Sequence, residues 1–278
     1  MAVTADEFEE IDAVAVKRAQ YILKELKDIQ EKQDLNDERV IVYCQPVYNI
    51  IDECFDTAEA LMRLKLEETG MVFPDQFIPL AEEHEYIHAL SRIILNKTCL
   101  QIRKFIDEGF SVKRISVNFA VSEMHDKGFC SEVKKIIENA GIPYEKVAFE
   151  LTETQDEGDF AALKSSIEEL QEHGIKFYLD DFGTGYSNFL RIMELPFDII
   201  KFDRSLVIAA MNSIKSETIV SYLAHMFSDM NYSVLYEGVE TEADEIKCTH
   251  MCARYLQGYK YSKPIPIEGL SEYFSKSA

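Results

Sequence analysis

"KFYLDDFGTGYSNF", Lys176–Phe189, runs apolar and aromatic side chains straight into two adjacent aspartates and then breaks at Gly183-Thr184-Gly185. Along a strand, neighbouring side chains point to opposite faces. Asp180 and Asp181 can serve one purpose only if the pleat ends between them. Gly183 and Gly185 allow the unusual backbone angles of such an ending. The stretch predicts a strand whose last inward residue is Asp180, with Asp181 at the break and free to turn back toward the same lip.

Other apolar runs finish in the same way. "ISVN" ends in Asn118, "VAFE" in Glu150, "VLYE" in Glu237 and "RYLQ" in Gln257, while "IIKFD" carries Lys201. Helix-like stretches separate most of these runs, and several close on glycine (Gly109, Gly141, Gly174). Strand-like runs alternating with helices over a single domain predict an α/β fold, a (β/α)8 barrel. "RVIVYCQPVYNI" and "AEALMRLK" have no helix between them and read as a hairpin, so one strand is expected to run antiparallel. An open doubly wound sheet is the alternative, but no Gly-rich dinucleotide turn follows the first strand.

In a barrel the C-terminal ends of the parallel strands share one face. A carboxylate ending an apolar strand is costly unless it is paired or binds a cation. One such residue could be a cap, as Thr152 or Asp159 is read here. Six strand ends behaving alike point to a ligand site. Adjacent carboxylates both stay ionised only with cations between them. Glu, Asp and Asn donors without His or Cys favour Mg²⁺ or Mn²⁺ over zinc. Two such ions about 3.5–4 Å apart form an arrangement that cleaves phosphodiesters.

The bulk properties narrow the partners. A chain of 278 residues that is 47% apolar can bury a core. Its formal charge of −21 argues against tracking a nucleic-acid polymer, although bound metals would still admit a small phosphorylated ligand. Six scattered cysteines suggest reduced thiols. Cys248-x-His250-x-Cys252 is expected on a helix, where i and i+2 face different ways, and reads as packing rather than metal binding. No apolar run has the length of a membrane span and the acidic start lacks a signal-peptide core, so the expected compartment is the cytoplasm with no membrane partner. Residues 5–33 read as one amphipathic helix with a stripe of Ile11, Val14, Ala15, Ala19, Ile22, Leu23 and Leu26. The polar segment "QEKQDLNDER" follows, dividing a helical lead-in (1–37) from the main domain (38–278). The helix reads either as the continuation of an upstream sensor domain or as a packing arm.

The motifs occur in a recognisable order. "QPV" at Gln45 precedes "EALMR", with Glu59-Ala60-Leu61. "FPDQFIPLAEE", "SVNFA", "FELTET", "LDDFGTGYSNF", "LPFDIIKFDRSLV", "EGVET" and "LQGYKYSKP" follow. From about Val40 to Pro266 the chain resembles the EAL-domain cyclic di-GMP phosphodiesterases. The resemblance implies a TIM-like barrel with the first strand antiparallel. It also implies metal-dependent hydrolysis of one phosphodiester bond of cyclic di-GMP, giving linear pGpG. By the family pattern, Glu59, Asn118, Glu150 and Asp180 hold one metal, and Asp180, Asp181 and Glu237 serve a second. Lys201 lies beside the attacking water, and Glu153 anchors the loop "DDFGTGYSNF". Arg63 matches a phosphate contact, Gln45 and Gln257 match positions lining the nucleotide, and Glu240 is a supporting acidic residue near them. Family members often pair, with the loop after "LDD" transmitting the pairing to the metals, so a homodimer is expected. The apolar residues of "GYSNFLRIMELP" could form that surface or pack the barrel.

Cys44, Ala120 and Tyr236 depart from the Tyr, Ser and Ala that are usual in the family at those places. By alternation Tyr236 should point outward into the helix layer and Cys44 away from Gln45. Neither departure removes a metal ligand, and Ala120 loses only a hydroxyl. The rival reading is a receptor that holds cyclic di-GMP without cutting it. Such members usually lose the EAL glutamate, a DD aspartate, the loop-anchoring glutamate or the lysine, all of which this chain keeps. A sugar-phosphate barrel enzyme is disfavoured, because no Gly-rich phosphate loop occurs late in the chain.

Overall fold

The strand-like runs become β1 (Val40–Asn49), β2 (Cys54–Leu66), β3 (Gly70–Val72), β4 (Arg114–Phe119), β5 (Val147–Thr152), β6 (Lys176–Phe182), β7 (Ile199–Phe202), β8 (Ser233–Tyr236), β9 (Tyr255–Leu256) and β10 (Ile265–Pro266). The structure, a computed structural model, describes residues 5–126, 128–152, 160–184 and 189–276. The sheet order is β10-β1-β9-β8-β7-β6-β5-β4-β2-β3, and a further β1–β2 pairing closes eight of these strands into a barrel. β2 and β4 through β9 pair in parallel, whereas β1 runs antiparallel to β9. The expected α/β barrel with an antiparallel first strand is what the chain adopts. β5 and β6 are buried along almost their whole length, as parallel strands covered on both faces must be.

One layer of the barrel explains where the polar residues go. Val47, Ala148, Tyr178, Ile199, Leu235 and Tyr255, from β1, β5, β6, β7, β8 and β9, form a single buried cluster. Two residues further along a strand is the same face, one step nearer the strand end. That step reaches Glu150, Asp180, Lys201, Glu237 and Gln257. On β1, which runs the other way, the same step leads back to Gln45. The intervening positions face outward, toward the helix layer. Tyr236 is fully buried there, its hydroxyl donating to the Met251 carbonyl at 2.9 Å beyond the helix Glu242–His250.

The chain divides into two compact units, Met1–Val42 with Met62–Lys97, and Tyr43–Leu61 with Thr98–Ala278. In the first, the helix Ala5–Lys32 packs on the helix Pro74–Glu83. Ile22, Leu26 and Ile29 are buried, at the i, i+4, i+7 spacing of one face. The expected stripe is too long. Val14 and Ala15 are exposed, because none of the described residues covers that end of the helix, and the side chain of Ile11 lies outside the described ones. Arg39 ties the junction after the helix together, reaching Glu25 and Asp28 at 2.8 Å each and Asp37 at 2.6 Å. Lys97 donates to the carbonyls of Asp37 and Val40, both at 2.6 Å.

The helix-like stretch "RSLVIAAMNSIKSETIVSYLAHMFSDMN" forms two helices, Arg204–Asn212 and Ile214–Asp229. Ser213 breaks them with extended backbone (φ −151°, ψ 125°) and caps the second by accepting from the Ser216 N–H. Cys252 is not on the helix with Cys248, because that helix ends at His250. All six cysteines are free.

Two outcomes are expected. A Cβ at Gly258 would lie 2.1 Å from the Val239 oxygen and 2.3 Å from its nitrogen. Backbone cannot swing aside as a side-chain tip can, so Gly258→Ala should lower stability by about 1–3 kcal/mol in urea unfolding. Arg39→Ala should cost about 1.5–3 kcal/mol through its lost charged hydrogen bonds. The Arg39 hydrogen bond holds the Asp37 carboxyl below its usual range. That stabilisation is present above the unfolded value near pH 3.9 and is lost as pH falls through the folded one. The unfolding curves of the variant and the parent should therefore converge in acid.

Candidate metal centre

At the C-terminal rim of the barrel the polar strand ends converge on Lys201. Its side chain is 1% exposed. Its ammonium lies 2.8 Å from Asp180 Oδ1, 2.8 Å from Glu237 Oε1 and 3.4 Å from Glu59 Oε2, and it donates a hydrogen bond to Glu150 Oε2. Four carboxylates thus surround one cation, leaving an excess of negative charge in a site shielded from water.

The protonation tendencies follow from that imbalance. Burial raises Glu150 well above the usual carboxylate range, and the charges of Glu59 and Asp180 add to it. Burial also pushes Glu237 up to about 8, with Lys201 opposing the rise. Asp181 is pushed up to about 6 by burial and by the charge of Asp180. Burial would raise Glu59 too, but Lys201 and the amides of Gln257 and Asn118 hold it below its ordinary value. Desolvation disfavours charge on Lys201, yet the surrounding carboxylates raise it well above the usual lysine range. Within this cage Lys201 is a cation, not a free base.

Asp181 takes a backbone conformation that β-strands do not use. Its φ is +55°, and the β6–β7 register shifts between Leu179 and Phe182. A bulge of this kind re-aims a side chain, and the carboxylate turns to the lip beside Asp180. Gly183 follows at φ +106°, where a Cβ would fall 2.7 Å from Leu206. Two acidic groups result, Glu59–Glu150–Asp180 and Asp180–Asp181–Glu237, each with donor oxygens within 4.8 Å of one another. Asp180 belongs to both.

Amides continue the rim. Asn118 donates to Glu59 Oε1 at 2.9 Å. Gln257 donates to Glu59 Oε2 at 2.6 Å and to Gln45 Oε1 at 3.2 Å, while Gln45 donates to the Ser262 carbonyl at 3.0 Å. A cavity of about 240 Å³ opens beside Glu59 and Glu237 and is also lined by Gln45, Gln257, Glu240 and Arg204. Glu240 pairs there with Arg204 at 2.5 Å. Arg63 belongs to the other unit, where it is buried, donates to the Met62 carbonyl at 2.8 Å and lies 5.4 Å over the Phe73 ring. Glu153 lies outside the described residues. Sequence reasoning passed over Arg204 and Ser262, although both stand inside quoted motifs, "KFDRSLV" and "KYSKP".

The residues fit divalent ions. The donors are oxygen throughout, as Mg²⁺ and Mn²⁺ prefer. Asp180 Oδ1 is buried and ion-paired with the Lys201 ammonium at 2.8 Å without an aligned hydrogen bond. A buried carboxylate oxygen in that position keeps the capacity to bind a further cation.

Residues 27–264 match the family model for the EAL domain. The chain is 30% identical over 242 residues to the cyclic di-GMP phosphodiesterase NbdA of Pseudomonas aeruginosa, covering 87% of this chain and 31% of that protein. It is 30% identical over 227 residues to the cyclic di-GMP phosphodiesterase PdeL of Escherichia coli, covering 81% and 62%. Among solved structures, the PaMucR phosphodiesterase in its c-di-GMP complex aligns with a TM-score of 0.79 at 28% identity, over 88% of this chain and 99% of that one. The chain spans about a third of the length of NbdA and of MucR, at 31% and 36%. With most of its length matched and its barrel and acidic rim in place, the chain belongs to the EAL domain family.

Proposed function

We propose that this chain is a metal-dependent phosphodiesterase that hydrolyses one phosphodiester bond of cyclic di-GMP to give linear pGpG. The observation that carries the reading is the pair of acidic groups sharing Asp180 at the mouth of the barrel. Glu59, Asn118, Glu150 and Asp180 would hold one Mg²⁺ or Mn²⁺ ion, and Asp180, Asp181 and Glu237 the other. When bound, two such ions neutralise the phosphodiester charge and lower the pKa of an attacking water.

The chain's own residues supply the remainder. Lys201 offers ammonium protons to that water and to the carboxylates, which suits an orienting donor better than a proton acceptor. Gln45 and Gln257 present amide groups to the cavity beside the cage and suit the polar edges of a nucleobase. Arg63 carries the forked donors that fit a phosphate oxygen. Glu153 is assigned to holding the loop after Asp181. Glu240 supports the loop that follows Glu237.

The division into a lead-in (1–37) and a phosphodiesterase domain (38–278) is supported by the helix end at Lys32. A cytoplasmic setting agrees with the finding that no described helix is long and apolar enough to cross a membrane. An upstream sensor domain would continue from the helix. A homodimer would use Phe189, which is 41% exposed, whereas Ile192 and Leu195 pack inside.

Incubation with cyclic di-GMP and Mg²⁺ or Mn²⁺, followed by chromatography, should yield pGpG. Ligand binding without pGpG would establish the receptor reading instead. Glu59→Ala and Asp180→Asn should each reduce turnover by more than about 100-fold, the upper end for residues one step removed from a ligand. Glu153→Ala should cripple it. Full activity in any of the three contradicts the assignment. Calcium, which tolerates larger and irregular coordination, should bind but support little hydrolysis. Brisk turnover in calcium alone would count against the pair of small ions.

A further inference from the structure

We infer that Arg204 is a positioning residue that holds Glu237 in the second acidic group. The inference rests on the proposed reading of the rim as a metal centre and adds a residue to it. Glu237 leads directly into Gly238, whose φ is +66°. The backbone around it is anchored on both sides. The Glu237 N–H donates to the Phe202 carbonyl at 3.0 Å, and the Val239 N–H donates to the Gln257 carbonyl at 3.0 Å. Further on, Asp244 accepts from the N–H groups of Glu240 at 3.1 Å and Thr241 at 2.9 Å. Gly238 is the residue between these anchors with no side chain of its own to fix it.

Arg204 takes the place of that side chain. A Cβ built at Gly238 would fall 2.4 Å from Arg204 Cγ and 2.6 Å from Arg204 Cβ. The arginine stem therefore lies directly on the glycine Cα, and its guanidinium reaches across to Glu240 at 2.5 Å. Its own backbone is held, because it opens the helix Arg204–Asn212 just after Asp203, which caps that helix by accepting from the Ser205 N–H at 2.8 Å. An exposed ion pair of this kind contributes little to stability. What it can do is keep a glycine hinge from turning beside a ligand carboxylate. Among the described residues Glu237 belongs to the second acidic group and not to the first, so the effect should fall on one ion and spare the other.

The test is Mn²⁺ titration of the whole chain, followed by electron paramagnetic resonance and calorimetry, without substrate. The unaltered chain should bind two ions. Arg204→Ala should weaken one of them by about 10-fold or more, the scale for residues that orient a ligand, and leave the other within about twofold. Arg204→Lys keeps the stem and the charge and should recover most of the loss. The thermal midpoint should stay unchanged in both variants. Two ions bound as in the parent, or both sites weakened equally, would overturn the inference. A parent that binds two Mn²⁺ ions yet never produces pGpG defeats the phosphodiesterase reading but leaves the Arg204 comparison decisive. A parent that binds none defeats both.

Discussion

One buried ammonium among four carboxylates sets the terms for the rest of the molecule. Like charges this close, out of water, repel strongly. A flexible scaffold would relieve the repulsion by moving them apart. The barrel cannot, because each carboxylate sits two residues beyond a packed interior layer or on a strand paired on both sides. Apolar packing below the rim therefore holds together what electrostatics would separate. Lys201 offsets part of the charge, and burial raises the pKa of Glu150 and Glu237 above the usual carboxylate range. On the proposed reading, the remaining excess suits the rim to binding cations.

Much of this was legible because strands have a period of two. Asn118, Glu150, Asp180, Glu237 and Gln257 each end an apolar run, and the barrel's parallel strands carry those ends to one rim. Asp181 was legible for a different reason. Two carboxylates in succession cannot share a face within a regular pleat, so a break was required, and the positive φ at Asp181 is that break. What stayed hidden depends on packing partners that a single sequence does not reveal. Nothing local distinguishes Val14 from Ile22 on the first helix, yet among the described residues one is exposed and the other buried. Ser213 looks like any serine inside a long apolar-periodic stretch, and its role as a break and cap emerges from where the two helices must point. Arg204 and Glu240 are far apart along the chain, and nothing in the sequence pairs the one with the other.

The departures from the family pattern illustrate the same periodicity. Tyr236 precedes the inward-facing Glu237 and so faces outward, where its ring packs 5.1 Å from Phe202 and its hydroxyl satisfies the Met251 carbonyl. A large residue is accommodated there because the helix layer, not the site, receives it. At Ala120 the backbone N–H is bonded to the buried carboxylate of Glu123 at 3.1 Å. The turn after β4 is thus closed by a side chain three residues on, and a hydroxyl at position 120 is not needed for that bond.

The antiparallel first strand has a consequence for the shape of the site. In the parallel strands a residue reaches the rim by lying at the end of its run, but Gln45 reaches it from the middle of β1, two residues before the packed Val47. Its neighbour β9 is only Tyr255–Leu256, after which Gln257 is already at the rim. This arc carries amides, and the opposite arc carries carboxylates. The two meet at Glu59, which accepts from Gln257 on one oxygen and from Asn118 on the other. Carboxylates suit hard cations, whereas neutral amides can both donate to and accept from a base edge. On the proposed reading, the rim is divided by chemistry into a half that holds ions and a half that reads the nucleotide. The reversed strand is what lets the second half begin where the first one ends.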